Sequence, residues 1–101
     1  MTMRVRTDTA LLSMALGCLA CSEAPRIGVV LPETGPAAIY GASIKSGISL
    51  AFAELGTVHG KAIEVLYRDS GSDAARAASA CEAIYEQGAL LIIGGATSAE
   101  A

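Results

Sequence analysis

Three short apolar runs separated by two stretches of helical period constrain this chain more than anything else in its sequence. The first run, Ile27-Gly28-Val29-Val30-Leu31, is closed by Pro32, and the third, Leu90-Leu91-Ile92-Ile93, is closed by Gly94-Gly95. Neither alternates, as expected of parallel strands covered on both faces. The second run does alternate, with Ile63, Val65 and Tyr67 against Glu64, Leu66 and Arg68, and it ends at Asp69. Between the first two runs Ile44, Ile48, Ala51 and Leu55 recur at helical spacing, Lys45, Ser49 and Glu54 take other faces, and Gly56 supplies a stop. Gly47 would let this helix approach the sheet closely, at a propensity cost of about 1 kcal/mol against Ala. After the second run Ser70-Gly71-Ser72 makes a turn, and Ser72 or Asp73 caps a helix with Ala77, Cys81 and Ile84 as its buried stripe and Gln87-Gly88 at its end. The order strand, helix, strand, helix, strand with right-handed crossovers predicts an α/β fold. It is a partial doubly wound, Rossmann-like lobe, βαβαβ, with parallel strands in the order 2-1-3.

The segment ahead of this pattern reads differently. Mean hydropathy is +0.50, and part of it lies in residues 10–21, an apolar or small stretch preceded by Arg4 and Arg6 and followed by Ser22-Glu23. This is the layout of a secretory signal, with Asp8 as a departure from it. The stretch of about 12 residues is short of the roughly 20 that a spanning helix needs. Residues 1–21 are therefore expected to be a signal peptide, and residues 22–101 the N-terminal part of a first lobe that stops before its next helix. Cys18 and Cys21 close the apolar stretch, each after a small residue, Gly17 or Ala20. That resembles a bacterial lipoprotein signal, in which one of the two cysteines would be lipidated. The preferred Leu three residues earlier is replaced by Ala15 or Cys18, and a plain cleaved signal remains open. Cys81 is expected to be a buried free thiol. The C-x-x-C of Cys18 and Cys21 has no second ligand pair behind it, so no metal site is read from it.

Chemistry, if any, belongs to the loops at the carboxyl ends of the strands, where backbone and helix N-terminal N–H groups converge. Thr34-Gly35-Pro36-Ala37-Ala38-Ile39-Tyr40-Gly41 is such a loop, leading to a helix that begins near Gly41. A dinucleotide-binding domain shares the topology, and Asp69 stands where a ribose-binding acid would. Yet no G-x-G-x-x-G follows the first strand, and Pro36 removes an N–H that a phosphate cradle needs. Ser98 lacks a G-x-S-x-G context, and His59 sits in a connector without a partner, so a serine hydrolase has less support still. A formal net charge of -3 without basic blocks gives no footing for nucleic acid.

Taken in order, residues 27–31, Thr34-Gly35-Pro36, Tyr40-Gly41, the helix around Gly47-Ile48, Tyr67-Arg68-Asp69, Ile92-Ile93-Gly94 and Ser98 resemble the start of the type I periplasmic binding proteins, in the leucine/isoleucine/valine-binding group. The resemblance covers residues 26–101. It implies a periplasmic or extracellular receptor, anchored at the membrane if lipidated. Such a receptor closes two lobes on a branched-chain amino acid or related small molecule and delivers it to an ABC permease, with no cofactor and no catalysis. It also implies that Ser98 offers a hydroxyl and nearby N–H groups to the ligand carboxylate and that Tyr40 is an aromatic wall of the cleft. Thr97 is a further ligand-binding candidate. On the residues alone Ser98 also reads as a helix cap and Tyr40 as a packing residue. Some relatives join the loops after the second and third strands by a disulfide, and residues 69–73 and 95–98 contain no cysteine. A ligand-sensing receptor domain of the same fold is the alternative function, and the chain alone is expected to be marginally stable and not to bind ligand.

Overall fold

The structure, a computed structural model, describes residues 24–101. The signal-peptide reading and the lipidation candidates Cys18 and Cys21 lie outside the described residues. The elements are β1 (Arg26–Leu31), α1 (Ala38–Leu55), β2 (Thr57–Val58), β3 (Lys61–Ala62), β4 (Glu64–Asp69), α2 (Ala74–Glu86) and β5 (Leu91–Gly94). β4, β1 and β5 form a parallel sheet in the order β4-β1-β5, which is the expected 2-1-3 arrangement. In register, Ile27 faces Val65 on one side and Leu91 on the other, and Leu31 faces Asp69.

Burial centres on β1, the middle strand, where Val29 is fully buried and Val30 and Leu31 nearly so. α2 supplies the cover. Its stripe of Ala77 and Ile84 is buried, Cys81 is half-buried, and Leu66, Ala80 and Ala89 pack around them. Asp73 is its N-cap, with Oδ2 accepting the Arg76 N–H at 2.9 Å, which resolves the choice between Ser72 and Asp73.

Three expectations are corrected. β5 was expected to be covered on both faces, but Leu91, Ile92 and Ile93 are exposed, as is Leu90 before them. Among the described residues β5 pairs with β1 alone. α1 presents a different face from the one its apolar spacing marks. Gly41 is its buried residue and Ile48 and Phe52 are half-buried, while Ile44, Ala51 and Leu55 are exposed. Polar anchors set this rotation: the Lys45 ammonium lies 4.6 Å over the Tyr67 ring and pairs with Glu33, and Ser49 Oγ is 3.1 Å from the Tyr67 hydroxyl. The close approach belongs to Gly41, where an added Cβ would fall 1.9 Å from the Pro32 carbonyl oxygen; Gly47 has nothing within 4 Å.

The third correction is the connector after α1, which is a two-stranded antiparallel hairpin pairing Thr57 with Ala62 and Val58 with Lys61. Its two turn residues, His59 and Gly60, have φ of 51° and 77°. Positive φ at both central positions is the twist that matches a two-residue hairpin. His59 is exposed there, as expected of a turn residue.

Candidate functional site

The carboxyl edge of the sheet carries three loops: residues 32–37 after β1, 70–73 after β4 and 95–100 after β5. Because β1 lies between the other two strands, the first loop is central. It turns at Gly35, with φ of 86°, where an added Cβ would meet Ser72 Oγ at 2.7 Å and the Gly71 carbonyl at 2.8 Å. α1 starts at Ala38, earlier than expected, so Tyr40 lies in its first turn and not in the loop. The α1 N-terminus has no side-chain cap and no acidic residue in its first turn, which leaves the positive end of its dipole unneutralised. Tyr40 is 62 % exposed at this edge.

The loop is held from the side by Asp69. Its Oδ1 accepts the N–H groups of Gly71 at 2.7 Å, Glu33 at 2.8 Å and Thr34 at 3.2 Å, and its Oδ2 accepts the Thr34 hydroxyl at 2.7 Å. The Thr34 hydroxyl above all, with the backbone N–H groups of Gly71, Glu33 and Thr34, holds the Asp69 carboxyl down at about 2. Arg76 adds a guanidinium 3.6 Å from Oδ2. With both oxygens engaged, Asp69 is a structural anchor and not a free acid for a ribose. Ser72 adds two bonds, donating from Oγ to the Thr34 carbonyl at 2.8 Å and accepting the Ala37 N–H at 3.0 Å.

On the other side of β1, Ser98 is exposed in a turn in which the Glu100 N–H donates to the Thr97 carbonyl at 3.1 Å. The Thr97 hydroxyl donates to Glu100 Oε2 at 3.2 Å, and Glu100 Oε1 accepts the hydroxyl of buried Ser70. Thus Tyr40, in the first turn of α1, and Thr97 and Ser98, on the loop after β5, lie at one edge of the sheet, Ser98 exposed and Thr97 tied to Glu100. Sequence reasoning missed Ser70, Ser72 and Glu100 as parts of this edge. The signal for the two serines was the run of small and polar residues from Asp69 to Asp73 at a strand end, and for Glu100 its place in the stretch that follows the third strand.

Two concavities are lined largely by other residues. One of about 430 Å³, lined by Pro25, Arg26, Val58, His59, Lys61 and Leu90, opens at the amino ends of the strands. Another of about 250 Å³ lies between α2 and the end of β5, lined by Ala77, Cys81, Gly94 and Glu100 among others. Among the described residues no group of three His, Cys, Asp or Glu side chains is placed to hold a metal ion, and no helix is long and apolar enough to cross a membrane.

Residues 24–101 match the family described as periplasmic binding protein. The chain belongs to the type I periplasmic binding proteins, in the leucine/isoleucine/valine-binding group. It is 30 % identical over 101 aligned positions to the Leu/Ile/Val-binding protein BraC3 of Rhizobium johnstonii, an alignment covering 97 % of this chain and 27 % of that protein. Among solved structures it resembles a leucine-binding protein from Thermotoga maritima, at 36 % identity and a TM-score of 0.71 over 75 % of this chain and 22 % of that one. The branched-chain amino acid transporter substrate-binding protein of Streptococcus pneumoniae, solved with isoleucine, gives 33 % and 0.71 over 77 % of this chain and 24 % of that one. An ABC transporter substrate-binding protein from Sphaerobacter thermophilus gives 30 % and 0.74 over 77 % and 22 %. The chain spans about a quarter of the length of these periplasmic binding proteins.

Proposed function

We propose that this protein is the extracytoplasmic solute-binding component of an ABC importer and binds a branched-chain amino acid or a related small ligand without chemical change. The observation that carries the reading is the pairing of family with place. A chain of the leucine/isoleucine/valine-binding group carries its exposed Tyr40, in the first turn of α1, and its exposed Ser98, on the loop after β5, at the carboxyl edge, where ligands of open α/β sheets bind. Tyr40 forms an aromatic wall of the cleft. Ser98, with N–H groups of its turn and Thr97 as a subsidiary contact, receives the ligand carboxylate. A second lobe closes over this wall, and the loaded protein docks on a permease. The names of the relatives support both the ligand class and the transporter partner.

Export by residues 1–21 places the protein in the periplasm or outside the cell, and lipidation of Cys18 or Cys21 would hold it at the membrane. Mass spectrometry of the mature N-terminus tests that part: a diacylated cysteine is expected, and an unmodified residue contradicts it. For the function itself, thermal melts of the full-length protein across amino acids, amides and urea-like compounds are the test. A rise in melting temperature with leucine, isoleucine or valine is expected. No shift with any compound of the panel would overturn the reading.

A further inference from the structure

The end of β4 and the loop between β4 and α2 touch both the loop that leads into Tyr40 and the loop that carries Ser98, and they do so through side chains. Toward the first loop, Asp69 takes the N–H groups of Glu33 and Thr34 and the Thr34 hydroxyl, and Ser72 takes the Ala37 N–H while donating to the Thr34 carbonyl. Four polar groups of the main chain at positions 33, 34 and 37 are thus satisfied by the neighbouring loop and not by their own. Toward the third loop, the Ser70 hydroxyl donates to Glu100, while the Ser70 N–H extends the β1–β4 ladder by donating to the Leu31 carbonyl at 2.9 Å. Glu100 in turn receives the Thr97 hydroxyl, closing the turn that carries Ser98. Ser70 is 1 % exposed, so it cannot touch a ligand in the cleft and acts on the third loop through Glu100 alone.

We propose that the end of β4 and the β4–α2 loop together are the positioning element of the binding site: Asp69 and Ser72 fix the loop leading into Tyr40, and Ser70, through Glu100, fixes the turn presenting Ser98. The inference rests on the solute-binding reading. Its physical content is preorganisation. A wall built from two separate loops binds a small rigid ligand well only if neither loop must be ordered on binding, since that ordering subtracts directly from affinity. A shared third loop, bonded to both, sets their geometry before the ligand arrives. Asp69, Ser70, Ser72 and Glu100 are positioning residues in this scheme, and none is assigned a ligand contact.

The test uses the full-length protein, titrated calorimetrically with L-leucine, L-isoleucine and L-valine well below its melting temperature. Amide hydrogen exchange of the ligand-free protein is followed in parallel. Thr34→Val removes one clasp hydroxyl at nearly constant volume, Thr34→Ser restores it, and Ser70→Ala cuts the link to Glu100. The expected result is an affinity loss of about three- to tenfold for Thr34→Val and for Ser70→Ala, with near wild-type affinity for Thr34→Ser. Exchange should accelerate in residues 33–41 for Thr34→Val and in residues 95–101 for Ser70→Ala, each without the other. Variants that melt earlier yet bind with wild-type affinity, or that exchange faster everywhere alike, would overturn the positioning role and leave the solute-binding reading standing. A wild-type protein that binds none of the three ligands overturns that reading, and this inference with it.

Discussion

Asp69 is the residue on which most of the carboxyl edge depends. Its carboxyl sits at about 2 in the folded protein against an ordinary 3.8, chiefly because the Thr34 hydroxyl and three backbone N–H groups stabilise the charged form. A lowered folded-state pKa means stability that is present above pH 4 and is lost as the pH falls from about 4 toward about 2. Asp69→Asn should therefore destabilise the protein by about 1–2 kcal/mol at neutral pH. The deficit against wild type should shrink as both are titrated below pH 4, read from urea midpoints at each pH. A constant deficit across that range would mean that the charge is not what holds the loop. From sequence, Asp69 was legible as a strand end and as a place for a ribose-binding acid, but not as the anchor of a neighbouring loop. Its partners Glu33 and Thr34 lie about 35 positions away and become neighbours only through the pairing of β1 with β4. A similar distance hid the role of Ser72, whereas Tyr40 and Ser98 were singled out by a family resemblance.

At the scale of elements, α1 separates what periodicity predicts from what packing selects. Ile44, Ile48, Ala51 and Leu55 are spaced for a buried stripe, yet the helix is anchored by Gly41 on Pro32 and by Lys45 and Ser49 on Tyr67. The two helical glycines should respond in opposite ways. Gly41→Ala sets a methyl 1.9 Å from a backbone carbonyl that cannot yield without moving Pro32, and a loss of about 1–3 kcal/mol or more is expected, as for overpacked sites. Gly47→Ala meets nothing within 4 Å and should gain up to about 1 kcal/mol from helix propensity. Thermal melts of the two variants check the pair. Strand order, the α2 stripe and the α2 terminus were legible because they follow from local period and crossover handedness. The face of α1 was not, since period locates a stripe on a helix but not the partners that a neighbouring strand and loop offer its polar side chains.

Across the whole molecule, the described residues bury one face well and leave another open. β1 and α2 enclose the core of Val30, Ala77 and Ile84, while Leu90, Leu91, Ile92 and Ile93 along β5 and Leu50 and Leu55 on α1 are exposed. An unpaired apolar edge of this kind is a template for association. Residues 24–101 produced alone should therefore bind a hydrophobic dye and sediment with a concentration-dependent mass, and a monomeric, dye-silent species would contradict this. Exposure bears on function too, because Tyr40 and Ser98 are exposed, the proposed reading makes them one wall of a cleft, and a small ligand needs most of its own surface enclosed. The central claim is that this wall takes the carboxylate of a branched-chain amino acid at Ser98. Calorimetric titration of the full-length protein and its Ser98→Ala variant with L-leucine, L-isoleucine and L-valine tests it most directly. Saturable one-site binding by the wild type, weakened about tenfold or more by loss of the hydroxyl, is the predicted result. No heat with any of the three, or unchanged affinity in Ser98→Ala, would contradict it.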